Sequence, residues 1–407
     1  MERLIIIGGG IIGLATALQA SRKRLAREII VLEKDVRTGG HQSSHNSGVL
    51  HCGLYYKPGS LKARLAVEGI REMVSFCREH NISHEICGKI VLAVDEAEVS
   101  RLSDLMARGV ANGLRGLQWL EGREIQEIEP HAVGRAALRV PEEGIVDYAA
   151  VMRKMGELLR DAGHEVRTGA PALKIKASGN RQIVSTPQED IAADFVINCA
   201  GLHCDRVARS AGLHPESRII PFRGDYWKLA PAGEPLVKHL IYPVPDPTLP
   251  FLGVHFTRMI GGGIEAGPNA VLAFKREGYC RTDFSLQDTW ETLTFPGLYR
   301  FLKKYPGTTW SELRNSFSKQ VFLKNLQRLI PDIRMEHLSR EGGSGVRAQA
   351  IHRDGSLLMD FSLEQKPGQL HLLNAPSPGA TASLAIGNYL IAQMQETSAK
   401  ACYKSNA

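Results

Sequence analysis

Arg3-Leu4-Ile5-Ile6-Ile7-Gly8-Gly9-Gly10-Ile11-Ile12-Gly13 is the stretch whose reading decides the fold. Arg3 to Ile7 is a short apolar run of strand type, and Gly8, Gly10 and Gly13 follow at G-x-G-x-x-G spacing. Leu14-Ala15-Thr16-Ala17-Leu18 continues as a helix of small and apolar residues, and Glu28-Ile29-Ile30-Val31-Leu32 is a second strand ending at Glu33. Glu33 stands 20 residues beyond Gly13, where a dinucleotide-binding βαβ unit carries its ribose acid. Each part has a physical task. Gly8 permits the tight turn, Gly10 lets the backbone approach a pyrophosphate, and Gly13 lets the helix pack close on the strand. The helix N-terminus offers N–H groups and a partial positive charge to phosphates. Glu33 accepts hydrogen bonds from ribose hydroxyls and disfavours a 2′-phosphate, so NADP fits poorly.

Outward from this unit, the 407 residues suffice for two domains, and 43% hydrophobic with 23% charged residues is ordinary globular composition. No apolar run is long enough for a membrane span. With Arg3 to Gly13 already structural, a signal peptide is not expected and a cytoplasmic location is. The seven cysteines (Cys52, Cys77, Cys87, Cys199, Cys204, Cys280 and Cys402) are odd in number and form no C-x-x-C, so neither a disulfide framework nor a zinc ribbon is indicated. The histidines lack metal-ligand spacing, and no metal is expected. The net charge of +7 favours anionic substrates or an anionic membrane surface. It is spread over Arg22-Lys23-Arg24 and the region from Lys303 to Arg334 rather than gathered in one tract, so nucleic acid is not an expected partner.

Further along, Thr38 to Tyr56 reads as a polar, His-rich loop, Leu61 to His80 as a helix, Lys89 to Val94 as a strand and Glu96 to Asn112 as a helix. Tyr148 to Ala162 is a helix followed by a strand. Asp194-Phe195-Val196-Ile197-Asn198-Cys199-Ala200-Gly201 is a buried strand running into a glycine turn, with a helix from about Asp205. Such a turn lines a nucleotide crevice. From Arg218 to about Phe295 the strands are short, prolines cluster (Pro243, Pro245, Pro247, Pro250) and Gly261-Gly262-Gly263 marks a turn, which predicts an antiparallel sheet in a second domain. Leu298 to Ile330 reads as helical. Gln369 to Asn374 is a strand, and Ser377-Pro378-Gly379-Ala380-Thr381 opens an amphipathic helix to about Gln395. Nucleotide-type elements thus occur at the beginning, middle and end. The expected fold is α/β: a Rossmann-like cofactor domain with an inserted antiparallel-sheet substrate domain. The expected partition is 1–85, 145–215 and 340–400 for the cofactor domain, and 86–144 and 216–339 for the substrate domain.

The N-terminal motif, Asn198-Cys199-Ala200-Gly201 and the final Ser-Pro-Gly-Ala-Thr resemble the glycine oxidase and glycerol-3-phosphate dehydrogenase superfamily of flavoenzymes. Within it, the run His45-Asn46-Ser47-Gly48-Val49-Leu50-His51-Cys52-Gly53-Leu54-Tyr55-Tyr56-Lys57-Pro58-Gly59-Ser60-Leu61-Lys62-Ala63 resembles the signature of L-2-hydroxyglutarate oxidases and dehydrogenases. Gly267 to Tyr279 and Gly345-Val346-Arg347-Ala348-Gln349 resemble the same family, so the likeness spans nearly the whole chain. Two departures are Cys52, where a small residue such as alanine is expected, and Arg258 to Gly263, where a shorter acidic turn is expected. The resemblance implies non-covalent FAD and oxidation of L-2-hydroxyglutarate to 2-oxoglutarate, with electrons passed to oxygen or to a membrane quinone pool and a peripheral position on the inner membrane face. Oxidation of another 2-hydroxy acid or of an amino acid is the alternative. The expected cofactor-binding residues are Gly8, Gly10, Ile12 and Gly13 of the first turn, and Glu33 and Lys34 after the second strand. Ser43, Ser44, His45, Asn46 and Ser47 of the polar loop join them, with Ala200, Gly201, Gly379, Ala380 and Thr381.

Oxidising a 2-hydroxy acid requires an α-hydrogen facing the flavin, a base for the hydroxyl proton and cations for carboxylates. Histidine is the natural base, since its pKa lies near neutrality. His45, His51, His255 and His352 lie in motif-like contexts. Strand alternation puts Gly253, His255 and Thr257 on one face. His255 is the expected base and His51 a second polar group. Arginine grips both oxygens of a carboxylate, which makes Arg347 and Arg223 candidates, with Tyr55 as a donor. Backbone N–H groups around Gly379-Ala380-Thr381 would stabilise negative charge on a reduced flavin.

Overall fold

The computed structural model describes residues 1–246, 253–304, 318–339 and 342–405, with side chains through residue 397 in those ranges. Pro247, Pro250, Phe251 and Leu252, and the middle of the expected helix between Leu298 and Ile330, lie outside the described residues.

The opening βαβ unit forms as its sequence dictates. The strand Arg3–Ile7 is flanked by two parallel neighbours, Glu28–Leu32 and Phe195–Asn198, with Ile5 opposite Ile30 on one side and Val196 on the other. Buried parallel strands read as unbroken apolar runs because both faces are covered. The sheet extends to Glu165–Arg167 at one end and to Gln369–Asn374 and antiparallel Ser362–Lys366 at the other. Helices Ile11–Arg22 and Ser383–Ser405 pack together on one face, where Gly387 lies against Ala15 so closely that an added Cβ would sit 2.9 Å from its backbone.

A second, seven-stranded sheet runs Trp227–Lys228, Ile264–Gly267, His255–Arg258, Leu240–Pro243, Lys89–Ala93, Ala136–Val140 and Gln118–Glu121. The expected antiparallel pattern holds except for one pair: Leu240–Pro243 runs parallel to Lys89–Ala93. These two strands lie on separate segments of the chain, so no hairpin dictates their direction. The glycine turn at 261–263 does join two antiparallel strands. Ser217–Asp225 pairs antiparallel with Ser344–His352 along nine residues and so ties two distant segments together.

Two helices begin or divide differently from their sequence reading. In place of one helix from Leu298 to Ile330, helices Pro296–Lys304 and Lys319–Gln327 are described. The last helix starts at Ser383 rather than Ser377. Pro376 and Pro378 lack the N–H groups a helix would use and push Ala375 and Ser377 towards extended conformations. The chain instead makes a turn closed by Gly379 N–H to Pro376 O (3.1 Å) and Ala382 N–H to Pro378 O (2.9 Å). The Gly379 N–H is thus already engaged. Among the described residues no helix is long and apolar enough to cross a membrane.

Candidate active site

A single cavity of about 1020 Å³ runs from the glycine turn to the seven-stranded sheet. Its volume is at the upper end for small-molecule sites. The cofactor half is built at the C-terminal ends of the parallel strands. Gly8 sits at φ +108°, and a Cβ on Gly13 would lie 1.9 Å from Gly8 O. Only glycines let the helix start this close to the strand. Gly10 offers that helix no side-chain cap and its first turn carries no acid; Ile11 N–H donates to Ser43 Oγ at 3.0 Å, and Gly10, Ile12 and Ser43 all line the cavity. A helix N-terminus that faces a cavity with a glycine turn before it and a serine hydroxyl beside it suits a pyrophosphate, so the residues present fit a dinucleotide. Glu33 is buried beside it and accepts from Gly9 N–H (2.8 Å) and Asp35 N–H (3.0 Å).

Lys34, Ser43, His45, Asn46, Ser47, Ala200, Gly201, Gly379, Ala380 and Thr381 also line the cavity. Gly13 and Ser44 lie behind its lining. Thr381 Oγ1 meets Tyr148 Oη at 2.7 Å and accepts from His51 N–H at 3.2 Å, which joins the C-terminal turn to the polar loop. Glu277 closes the cavity's rim. It pairs with Lys34 (2.9 Å) and His203 (3.0 Å), while Tyr279 stacks on His45 with ring centroids 3.8 Å apart. Burial alone would raise the Glu277 carboxyl, but its bonds to His203 and Lys34 outweigh it and hold it at about 2.

The other half of the cavity is lined by His51, Tyr55, Tyr56, Lys62, Tyr226, Tyr242, His255 and Arg347. His255 is 6% exposed and stacks on Tyr242 with centroids 3.9 Å apart. Its Nδ1 lies 2.9 Å from Gly253 O. A carbonyl only accepts, so Nδ1 carries the proton and Nε2 keeps a lone pair. Burial pushes the imidazole down to about 3 and keeps it neutral. Lys62 occupies the first turn of helix Leu61–Glu79, which Ser60 Oγ caps by accepting from Ala63 N–H at 3.1 Å. A cation is disfavoured at that end of a helix dipole. Burial first, and the Arg347 guanidinium second, push Lys62 down to about 8. Its Nζ stands 4.4 Å from the Tyr56 ring centroid. Arg347 is exposed where its strand opens onto the cavity. The Tyr55 hydroxyl is buried without a hydrogen-bond partner among the described residues, an atom a ligand would satisfy.

Arg223 does not join this group. In the pairing of Ser217–Asp225 with Ser344–His352, Arg347 stands opposite Phe222 while Arg223 stands opposite Val346. Successive residues of a strand point to opposite faces, so the two arginines diverge. Arg223 donates to Asp225 Oδ1 (2.8 Å) and Cys280 O (2.7 Å) instead.

Sequence reading missed a charged group beneath His51. Lys89 Nζ lies 2.7 Å from Glu143 Oε2 as an ion pair with both side chains fully buried. His51 Nδ1 is 3.4 Å from the same oxygen, and Cys52 donates to Glu143 Oε1 from its N–H (3.2 Å) and its thiol (3.3 Å). That bond accounts for Cys52, the departure noted above. Burial alone would raise the Glu143 carboxyl, but Lys89 and His51 hold it well below the carboxylate range. Lys89 also stands over the rings of Tyr55 (4.5 Å) and Tyr242 (4.9 Å). Lys89 in an apolar strand and Glu143 in a turn give no signal in sequence that they meet. Lys62 lies inside the signature run, where its sequence context assigns it no role.

Fold and cavity together define the class, a dinucleotide-dependent oxidoreductase. The model of the FAD dependent oxidoreductases matches residues 3–393. L-2-hydroxyglutarate dehydrogenase of Indibacter alkaliphilus is 48% identical over 95% of this chain and 96% of its own length. The mitochondrial L-2-hydroxyglutarate dehydrogenase of Homo sapiens is 41% identical over 97% and 88%. Among solved structures, FAD-bound L-alpha-glycerophosphate oxidase from Mycoplasma pneumoniae superposes with a TM-score of 0.77 at 22% identity, covering 96% of this chain and 94% of that one. Glycine oxidase from Geobacillus kaustophilus gives 0.72 at 20%, covering 97% and 95%. The chain belongs to the FAD-dependent oxidoreductases and, within them, to the L-2-hydroxyglutarate dehydrogenase family.

Proposed function

We propose that this protein oxidises L-2-hydroxyglutarate to 2-oxoglutarate with non-covalently bound FAD. One observation carries the reading: a buried, neutral histidine and two cations, Lys62 and Arg347, open onto the same cavity as the glycine turn. A dicarboxylate needs two cationic contacts, and its hydroxyl needs one base. When bound, FAD supplies the two-electron acceptor for the substrate's α-hydrogen and passes the electrons to oxygen or to a quinone-linked acceptor. His255 Nε2 takes the hydroxyl proton, aimed by the bond from Nδ1–H to Gly253 O. Arg347 and Lys62 bind the carboxylates and orient the α-carbon. His51, with Glu143 behind it, and the buried Tyr55 hydroxyl supply further polar contacts. Glu33 receives the ribose, and the helix N-terminus after Gly10, with Ser43 beside it, receives the pyrophosphate.

The expected partition supports this division of labour. Residues 1–85, 145–215 and 340–400 supply every strand of the six-stranded sheet, and 86–144 with 216–339 supply every strand of the seven-stranded sheet. The pairing of Ser344–His352 with Ser217–Asp225 argues for moving that one strand to the substrate side. A cytoplasmic location, peripheral on the inner membrane face, suits a quinone-linked acceptor. The test is a visible spectrum of the purified protein followed by anaerobic addition of substrate. Flavin bands that bleach with L- but not D-2-hydroxyglutarate are expected. Bleaching by an amino acid or another hydroxy acid alone would redirect the substrate assignment, and absence of flavin after reconstitution would remove the reading altogether.

A further inference from the structure

Helix Leu286–Leu293 is built inside out. A surface helix normally turns its apolar stripe to the core. Here Asp288 and Thr292 are buried, while Leu286, Trp290 and Leu293, on one face at i, i+4 and i+7, are 76%, 69% and 42% exposed. The inward polar face is fastened by charge. Glu291 Oε2 takes Arg206 at 3.0 Å and Arg276 at 3.1 Å, and Asp288 Oδ2 accepts from Arg276 N–H at 2.8 Å. The apolar residues therefore stand outside on a rigid mount. Phe274, Phe284 and Tyr299 extend the patch, brought there by Ser285 N–H to Phe274 O (3.0 Å) and Tyr299 Oη to Leu293 O (2.7 Å). Patches of this kind mark interaction sites.

The flanking charge selects the occupant. The next helix, Pro296–Lys304, which supplies Tyr299 of the patch, carries Arg300, Lys303 and Lys304, all exposed. The acids of the apolar helix, Asp288 and Glu291, are turned inward and already paired. In a self-complementary dimer this basic helix would approach a copy of itself. Aromatic and aliphatic groups rimmed by cations instead match an anionic lipid surface, where the apolar face enters the headgroup boundary and the cations meet phosphates. We propose that the outward face of helix Leu286–Leu293 seats the protein on an anionic membrane surface. Gln287 of the same helix lines the cavity, so this seat brings the cofactor cavity close to the bilayer. The inference deepens the quinone-linked reading above by naming the surface that reaches the membrane.

The experiment is co-sedimentation of the FAD-loaded full chain with vesicles of phosphatidylcholine alone or mixed equally with phosphatidylglycerol. Wild type is expected to partition about tenfold or more in favour of the anionic vesicles and to be released by salt. The double variant Leu286→Gln/Trp290→Gln should lose that partition while turnover with a soluble dye acceptor is unchanged. The charge variant Lys303→Glu/Lys304→Glu should lose it too. Wild type that ignores anionic vesicles, or a double variant that still binds them, overturns the proposal. A double variant that turns a dimer into a monomer on size exclusion overturns it as well, in favour of a second copy. Sedimentation uses no substrate, so failure of the L-2-hydroxyglutarate reading is scored separately by bleaching.

Discussion

A histidine becomes a useful base when its surroundings fix both its tautomer and its charge. His255 has both, from one carbonyl and from burial, and the burial that keeps it neutral also makes it a weaker base than a free imidazole. Replacing it with alanine should leave flavin absorbance intact and lower kcat by about 10²–10⁴-fold, the usual contribution of a positioned base. Near-normal steady-state turnover would pass the role to His51. Lys62 leads to a pH prediction. Its ammonium is a cation below about 8 and neutral above, so the dicarboxylate loses one contact as pH climbs through that value. The value of kcat/KM should fall there, through KM rather than kcat, and Lys62→Arg should shift the fall upward. A pH profile that stays level across that range would exclude Lys62 from substrate binding. His255 was legible because it lies on a short strand within a family-like context. Lys62 was not, since a lysine in a polar helix start has solvent as its default and only the cavity wall contradicts it.

Elements were legible where local pattern and tertiary role agree. The first strand, the glycine turn, the helix after it and Glu33 all stand where spacing put them, because each is dictated by neighbours close in sequence. Arg223 was misplaced for the opposite reason: which face it shares with Arg347 depends on a register set across more than a hundred residues. The start of the last helix was misread because two prolines delay it to Ser383. The glycine turn gives a prediction at this scale. A Cβ at Gly13 meets backbone rather than a movable side chain, so Gly13→Ala must push the helix off the strand. Overpacking of this kind costs about 1–3 kcal/mol. The variant should unfold at lower temperature and purify with less FAD, read as the ratio of flavin to protein absorbance. Full FAD content at unchanged Tm would show that close approach of helix and strand is dispensable.

The two halves of the molecule meet at a buried charge. Lys89 belongs to the seven-stranded sheet, and Glu143 lies between that sheet's strand Ala136–Val140 and Gly144–Val146, which pairs with Val49–Leu50 beside His51. Nothing local in sequence announces such a junction, since each residue is ordinary where it stands. Breaking a buried ion pair from one side strands the other charge and costs about 3–5 kcal/mol, whereas replacing both partners with apolar groups is often neutral. Glu143→Gln should therefore lower the denaturation midpoint and lower kcat as well, because His51 Nδ1 loses its carboxylate. Lys89→Met combined with Glu143→Leu should recover part of the stability, since no unpaired charge is left inside. It should not recover kcat. Full recovery of both, measured by chemical denaturation and steady-state turnover on the same preparations, would make the pair a structural plug between the halves. Recovery of stability alone would show that the carboxylate serves His51, and through it the cavity.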